Sequence, residues 1–138
     1  MNVLIVGGGK VGQGLAETLV RDGHSVTVIE NRAEQVATRR HDLTGLTVVV
    51  GSGTDPAALE AAGVRQAHVV AAVTGADETN LVVTNLARLE YHAPRVIARV
   101  NNPKNAWLFT PDMGVDVAVN QAALIASLIA EQAEERIG

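Results

Sequence analysis

Val3-Leu4-Ile5-Val6-Gly7-Gly8-Gly9-Lys10-Val11-Gly12 stands almost at the first residue of the chain, and its reading decides the fold. The apolar run Val3–Val6 reads as a buried strand, and Gly7, Gly9 and Gly12 fall in the G-x-G-x-x-G spacing of a strand-to-helix turn. The three glycines serve different physical ends. Gly7 permits the tight turn, Gly9 lets the backbone approach a phosphate, and Gly12 lets the helix pack on the strand. The unpaired N–H groups that open such a helix favour an anion. A second strand, Ser25-Val26-Thr27-Val28-Ile29, ends at Glu30, roughly 20 residues past the glycines, where a carboxylate accepts from ribose hydroxyls.

Working outward, apolar runs alternate with helical periodicity along the whole chain. Strands are predicted over Asn2–Val6, His24–Ile29, Leu46–Val50, His68–Val73, Arg95–Val100 and Asp116–Val119. Helices are predicted over Lys10–Asp22, Ala33–His41, a short stretch ending at Gly63, Asp77–Tyr91, the region Pro103–Phe109, and Gln121 towards Ile137. Strands this apolar, each separated by a helix, imply a six-stranded parallel sheet covered on both faces. Its ligand crevice lies beyond the strand C-termini where the strand order reverses.

Composition narrows the field. A length of 138 residues suits one domain, and 47% hydrophobic residues suffice for a core. A net charge of −4 gives no basic footprint for nucleic acid. No apolar run reaches a membrane span, and the N-terminus lacks a signal-peptide pattern. Cysteine is absent, which excludes disulfides and thiol chemistry. Trp107, Phe109 and Tyr91 are the entire aromatic set, too few for a base-stacking platform.

The crevice loops offer Gly7–Gly12, Glu30-Asn31-Arg32, Gly51-Ser52-Gly53-Thr54 and Val73-Thr74-Gly75. Glu30 favours a free 2′-hydroxyl over a 2′-phosphate, hence adenine nucleotides or NAD over NADP. Arg32 has two open roles, phosphate contact or solvated cation. Lys10 is open to three: its own phosphate, a neighbouring subunit's ligand, or water. His24, His41, His68 and His92 are dispersed without metal or nucleophile–base spacing. Asp77 and Glu78 open a helix, where acids are favoured by the dipole alone. No catalyst emerges, and a nicotinamide dehydrogenase needs a further domain to present substrate. Ala122–Ala130 is apolar on nearly every face, unlike a surface helix, and is expected to pack against another copy or domain.

Taken together, Gly7-Gly8-Gly9-Lys10-Val11-Gly12, Val28-Ile29-Glu30, Gly51-Ser52-Gly53-Thr54, and Val70-Ala71-Ala72-Val73-Thr74 with Asp77-Glu78-Thr79-Asn80 resemble the RCK/KTN (TrkA N-terminal) domain family. These are regulatory domains of Trk and Ktr potassium-uptake systems and of some potassium channels. The resemblance implies a Rossmann-like doubly wound six-stranded parallel sheet, with a nucleotide-binding domain over 1–120 and a dimerisation (crossover) helix over 121–138. It implies a cytoplasmic, non-enzymatic subunit, peripheral at the inner membrane face, that binds NAD(H) or ATP/ADP. Its partners would be a membrane-embedded potassium transporter and further copies of itself, in dimers and rings. By position, Gly7, Gly9, Lys10, Val11 and Gly12 would hold phosphates and Glu30, with Asn31 and Arg32 beside it, the ribose. Ser52, Gly53 and Thr54 would serve the adenine side, and Val73, Thr74, Gly75 and Asn80 the other wall. Arg99 would face phosphate across a ring interface.

Two positions depart from the family pattern. Ser52 stands where an aspartate is common, and Asn120-Gln121-Ala122 replaces a Pro-Glu that helps bind a divalent cation, so no metal is expected. Members commonly continue into a second domain, so the chain is expected to be either a short member or a truncated one. Two other classes compete with the regulatory reading: a small NAD-dependent oxidoreductase or fragment of one, and a nucleotide-free oligomerisation scaffold.

Overall fold

The computed structural model describes residues 1–7, 9–32 and 44–137. The predicted helix over Ala33–His41 lies outside the described residues. Six strands, β1 (Asn2–Val6), β2 (Ser25–Glu30), β3 (Leu46–Val50), β4 (Val69–Ala72), β5 (Arg95–Arg99) and β6 (Val117–Val119), form one sheet in the order β3-β2-β1-β4-β5-β6. Every pairing is parallel, with Val6 opposite Ile29 on one side and Ala72 on the other. Four helices accompany it among the described residues: α1 (Gly9–Arg21), α2 (Pro56–Ala61), α3 (Asp77–Asn85) and α4 (Gln121–Ile137). The order reverses at β1, so β1 and β4, neighbours in space and far apart in sequence, define the switch point.

Side-chain alternation along β1 builds two cores. Val3 and Ile5 pack with Val26, Val28 and Ala71 against Ala16 of α1. Leu4 and Val6 pack with Ile29, Val70 and Val96 against Leu59 of α2 and Val83 of α3. A third cluster, Ala98, Val100, Phe109 and Val115, seals the connection from β5 to β6 onto that second face.

The expected cover on both faces is therefore incomplete. Ile97 and Val117 share the Ile5 face by register, yet they belong to no buried cluster and are only half-buried. The reason is that the β5–β6 connection, built from 3-10 turns at Pro103–Leu108 and Pro111–Met113, folds entirely onto the opposite face.

The predicted helix over Asp77–Tyr91 is α-helical to Asn85 and then widens into a π turn at Leu86–Glu90. Tyr91 N–H donates to Leu86 C=O, the i to i−5 bond that defines the change. Within that turn Arg88 makes a bidentate pair with Asp116 at 2.9 and 2.6 Å, fastening α3 to the start of β6. The last helix matches its expected span. The Asn120 side chain accepts from Ala123 N–H at 3.1 Å, and the described side chains to Glu134 are all exposed. Leu124, Ile125, Leu128 and Ile129 are 53–64% exposed, so the described body of the chain leaves this apolar helix uncovered.

Candidate functional site

A cavity of about 480 Å³ opens beyond the C-terminal ends of β1, β2, β3 and β4, within the size range of small-ligand sites. Gly7, held at φ +71°, makes the turn that forms its floor, and its N–H donates to Ile29 C=O at 2.9 Å. A Cβ on Gly7 would lie 2.5 Å from the Thr74 methyl, and one on Gly12 would collide with the Gly7 carbonyl. The first and third fingerprint glycines are thus required by contact: one by the β4 loop, the other by the β1 turn on which α1 packs. Gly9, the middle glycine, lines the cavity at the start of α1.

Glu30 closes β2, is 2% exposed and contributes to the cavity lining. Arg32 N–H donates to its Oε1 at 3.4 Å, and the Arg32 guanidinium stands 3.6 Å away, more than half exposed. Across the cavity, Thr74, Gly75, Ala76 and Thr79 form the β4–α3 wall, and Arg99 stands at the end of β5. Adjacent strands lie roughly 4.8 Å apart, so Glu30 on β2 is separated from the β4 wall by about 10 Å and from β5 by about 14 Å. Among the described residues, the Arg99 guanidinium has no hydrogen-bond or ion-pair partner.

Of the residues expected from sequence, Gly7, Gly9, Glu30, Asn31, Arg32, Ser52, Gly53, Thr74, Gly75 and Arg99 line this one cavity. Arg99 thus faces the cavity of its own chain. Lys10, Val11, Gly12, Thr54, Val73 and Asn80 do not line it. Val73 is buried in the core beside α1, and Thr54 Oγ1 lies 2.7 Å from Ser52 Oγ, which also accepts from Thr54 N–H. Asn80 is fully buried, with every hydrogen bond spent on protein. Its Oδ1 accepts from Thr74 N–H at 3.0 Å and Thr74 Oγ1 at 2.6 Å, while its Nδ2 donates to Thr74 C=O and Arg99 C=O. It holds the wall and touches no ligand space. Val6, Ile29, Ala76 and Thr79 also line the cavity and were not expected from sequence. Val6 and Ile29 carry a signal, as each is the residue that immediately precedes or ends beside a crevice loop.

Asp77 departs most from its sequence reading. It caps nothing on its own helix; the N-cap is Ala76, without a side-chain bond. Its carboxylate is 6% exposed and accepts from Asn101 N–H, Asn101 Nδ2, Asn102 N–H and Asn105 Nδ2 at 2.6–3.1 Å. Burial pushes this carboxyl up, and the four hydrogen bonds outweigh it, holding the group below its usual 3.8. Among the described residues no cluster of His, Cys, Asp or Glu is arranged to hold a metal ion.

The fold and the glycine-floored cavity define a Rossmann-like domain with a ligand crevice at the switch point. The TrkA-N domain family matches residues 3–121, and the chain belongs to that family. A Trk system potassium uptake protein TrkA of Mycobacterium tuberculosis (strain CDC 1551 / Oshkosh) is 38% identical over 134 residues, covering 95% of this chain and 59% of the relative. A TrkA homolog from Methanothermobacter thermautotrophicus is 44% identical over 120 residues, covering 87% of this chain and 54% of the relative. The chain thus spans little more than half the length of these relatives. Among solved structures, GsuK bound to ADP superposes with a TM-score of 0.78 at 25% identity, over 98% of this chain and 34% of that one. The GsuK channel bound to NAD gives 0.75 at 26% identity, over 98% and 23%. No described helix is long and apolar enough to cross a membrane.

Proposed function

We propose that this domain is the nucleotide-sensing part of a potassium-uptake regulator and binds NAD(H) or ATP/ADP in the cavity at the switch point. The observation that carries this reading is the buried Glu30 carboxylate sharing one cavity with the glycine turn. In the bound state Glu30 accepts from the ribose hydroxyls, Gly7 and Gly9 leave room for phosphate at the α1 N-terminus, and the Ser52–Gly53 loop flanks the adenine. The TrkA relatives and the ADP- and NAD-bound GsuK structures support the same assignment. The uncovered α4 pairs two copies of the chain, and the regulator works at the cytoplasmic face of a Trk- or Ktr-type transporter whose flux responds to the bound nucleotide. No catalytic step is assigned; among the described residues the titratable side chains lining the cavity are Glu30, Arg32 and Arg99.

A thermal-shift titration against ATP, ADP, NAD, NADH and NADP, with and without magnesium, tests the site. A ligand at about a hundred times its dissociation constant adds about 2.7 kcal/mol of stability. Over an unfolding entropy of about 0.29 kcal/mol/K for 138 residues, that raises Tm by about 9 °C. Stabilisation by adenine nucleotides or NAD(H) without NADP is expected. Silence from all five leaves the scaffold reading in possession.

A further inference from the structure

We propose that Asp77 is a positioning residue of the cavity: it locks the 101–105 loop to the β4–α3 wall, so that the wall and the surface turn carrying Trp107 move as one block. The proposal rests on the nucleotide reading of the cavity and adds a residue that touches no ligand.

The block is held by hydrogen bonds from both sides. On the cavity side, Thr74 Oγ1, whose proton goes to Asn80 Oδ1, accepts from Ala76 N–H at 3.3 Å, closing the turn that forms the wall. Thr74 C=O accepts from Asn80 Nδ2 and from Asn101 Nδ2, at 3.1 and 3.0 Å, so the wall already leans on the loop after β5. One residue beyond Ala76, the Asp77 carboxylate takes both the Asn101 and Asn102 backbone N–H groups and the side chains of Asn101 and Asn105. A carboxylate has about four acceptor positions, and here all of them face one loop. Asn105 lies inside the 3-10 turn Pro103–Leu108, so its Nδ2 bond at 2.9 Å extends the block into that turn.

An acid kept at the first turn of α3 for the dipole alone would sit in solvent, as the neighbouring Glu78 does. Asp77 is buried, and a buried charge is tolerated only where its partners are fixed. Trp107, two residues past Asn105 and 74% exposed, is the single tryptophan of the chain, so any change in tryptophan emission on ligand binding is assigned to that turn. Contact of a ligand with Thr74, Gly75, Ala76 or Thr79 therefore reaches Trp107 through Asp77 and Asn105. The coupling is reciprocal: what fixes the turn fixes the wall.

The test uses the whole chain, ADP and NAD as probes, calorimetric titration for affinity and tryptophan emission for the turn. Asp77→Asn keeps the shape and reverses the polarity of one oxygen position; Asn105→Ala removes the link to the turn and leaves the wall bonds intact. Wild type is expected to change its Trp107 emission on saturation. Asn105→Ala is expected to bind within about threefold of wild type and lose most of that emission change, while folded Asp77→Asn binds about tenfold more weakly, a change of about 1.4 kcal/mol. Native-state hydrogen exchange without ligand is expected to show the Asn101 and Asn102 amides protected in wild type and exposed in Asp77→Asn. Full affinity and a full emission response in either variant overturn the coupling. Equal exchange of the two amides in wild type and Asp77→Asn overturns the lock itself, whatever the ligand does. Protected amides in a wild type that binds no nucleotide refute the sensor reading and, with it, the positioning role, while leaving the lock as structure.

Discussion

Replacing Glu30 by glutamine separates two energies that meet at this side chain. Without ligand, the carboxylate is 2% exposed, and the Arg32 guanidinium 3.6 Å away is itself more than half in solvent. A buried carboxylate and its neutral isostere differ in desolvation cost and in the protein partners they keep, so the unliganded Tm of each is its own reference. With a ribose in the cavity the carboxylate has the advantage. Two carboxylate oxygens accept from two hydroxyls, whereas glutamine keeps one acceptor and presents a donor to the second hydroxyl. Loss of one hydrogen bond to a charged group costs about 1.5–3 kcal/mol, roughly 10- to 150-fold in Kd. A variant about 30-fold weaker, titrated at the concentration that gives wild type 2.7 kcal/mol, keeps only about 0.9 kcal/mol, and its shift falls from about 9 °C to about 3 °C. Differential scanning fluorimetry reads both numbers in one plate. An undiminished ligand shift in Glu30→Gln refutes the ribose assignment.

Three further outcomes follow from particular contacts. Gly12→Ala places a methyl against the Gly7 carbonyl and is expected to cost about 1–3 kcal/mol, or about 3–10 °C in Tm, with loss of nucleotide binding; a wild-type melt would show that the turn is slack. Asp77 has a depressed folded-state pKa, so its stabilisation is complete above its usual 3.8 and is lost as pH falls through the lower folded value. Acid melts should accordingly steepen below about pH 4 in wild type and flatten in Asp77→Asn, and parallel curves would count against the four-bond lock. Leu128→Glu charges an exposed face of α4 and is expected to convert a dimer to a monomer in sedimentation while leaving the sheet's circular dichroism unchanged; a wild type that sediments as a monomer at every concentration removes the pairing role.

What was legible in the sequence is what short-range physics writes there. The β1 run, the glycine turn and Glu30 lie within one βαβ unit, so spacing alone brings Gly7, Gly9 and Glu30 to one crevice. The apolar pattern of α4 was legible because a helix without a polar face has to be covered by something. The rest depends on partners distant in sequence. Asp77 meets asparagines 24 to 28 residues away, and first-turn position alone suggests only a dipole effect. A signal did exist: Asn101, Asn102 and Asn105 crowd into the loop after β5, a concentration of amide donors that a buried carboxylate can gather. The contacts of Asn80 are of the same kind, since its four bonds to Thr74 and Arg99 arise only once β4 and β5 lie side by side. The uncovered face at Ile97 and Val117 was hidden because apolar composition does not say on which side a connection folds.

Regulation asks more of this domain than binding. A nucleotide that binds two arrangements equally well shifts neither, however tight it is, and moving a population from 1:99 to 99:1 takes about 5.5 kcal/mol of differential affinity. On the proposed reading the Glu30 end of the cavity supplies little of that difference, because an adenosine ribose is common to ADP, ATP and NAD and would meet the same carboxylate in each. Discrimination has to arise where those ligands differ, beyond the first phosphates. There stand Thr74, Ala76, Thr79 and Arg99, the last unpaired among the described residues. That wall is also the part of the cavity bonded through Asn80 to β5 and through Asp77 to the 101–105 loop. On the proposed reading, the half of the site that would meet the differing part of the ligand is also the half hydrogen-bonded to β5 and to the 101–105 loop, an arrangement that suits a sensor better than a simple nucleotide store.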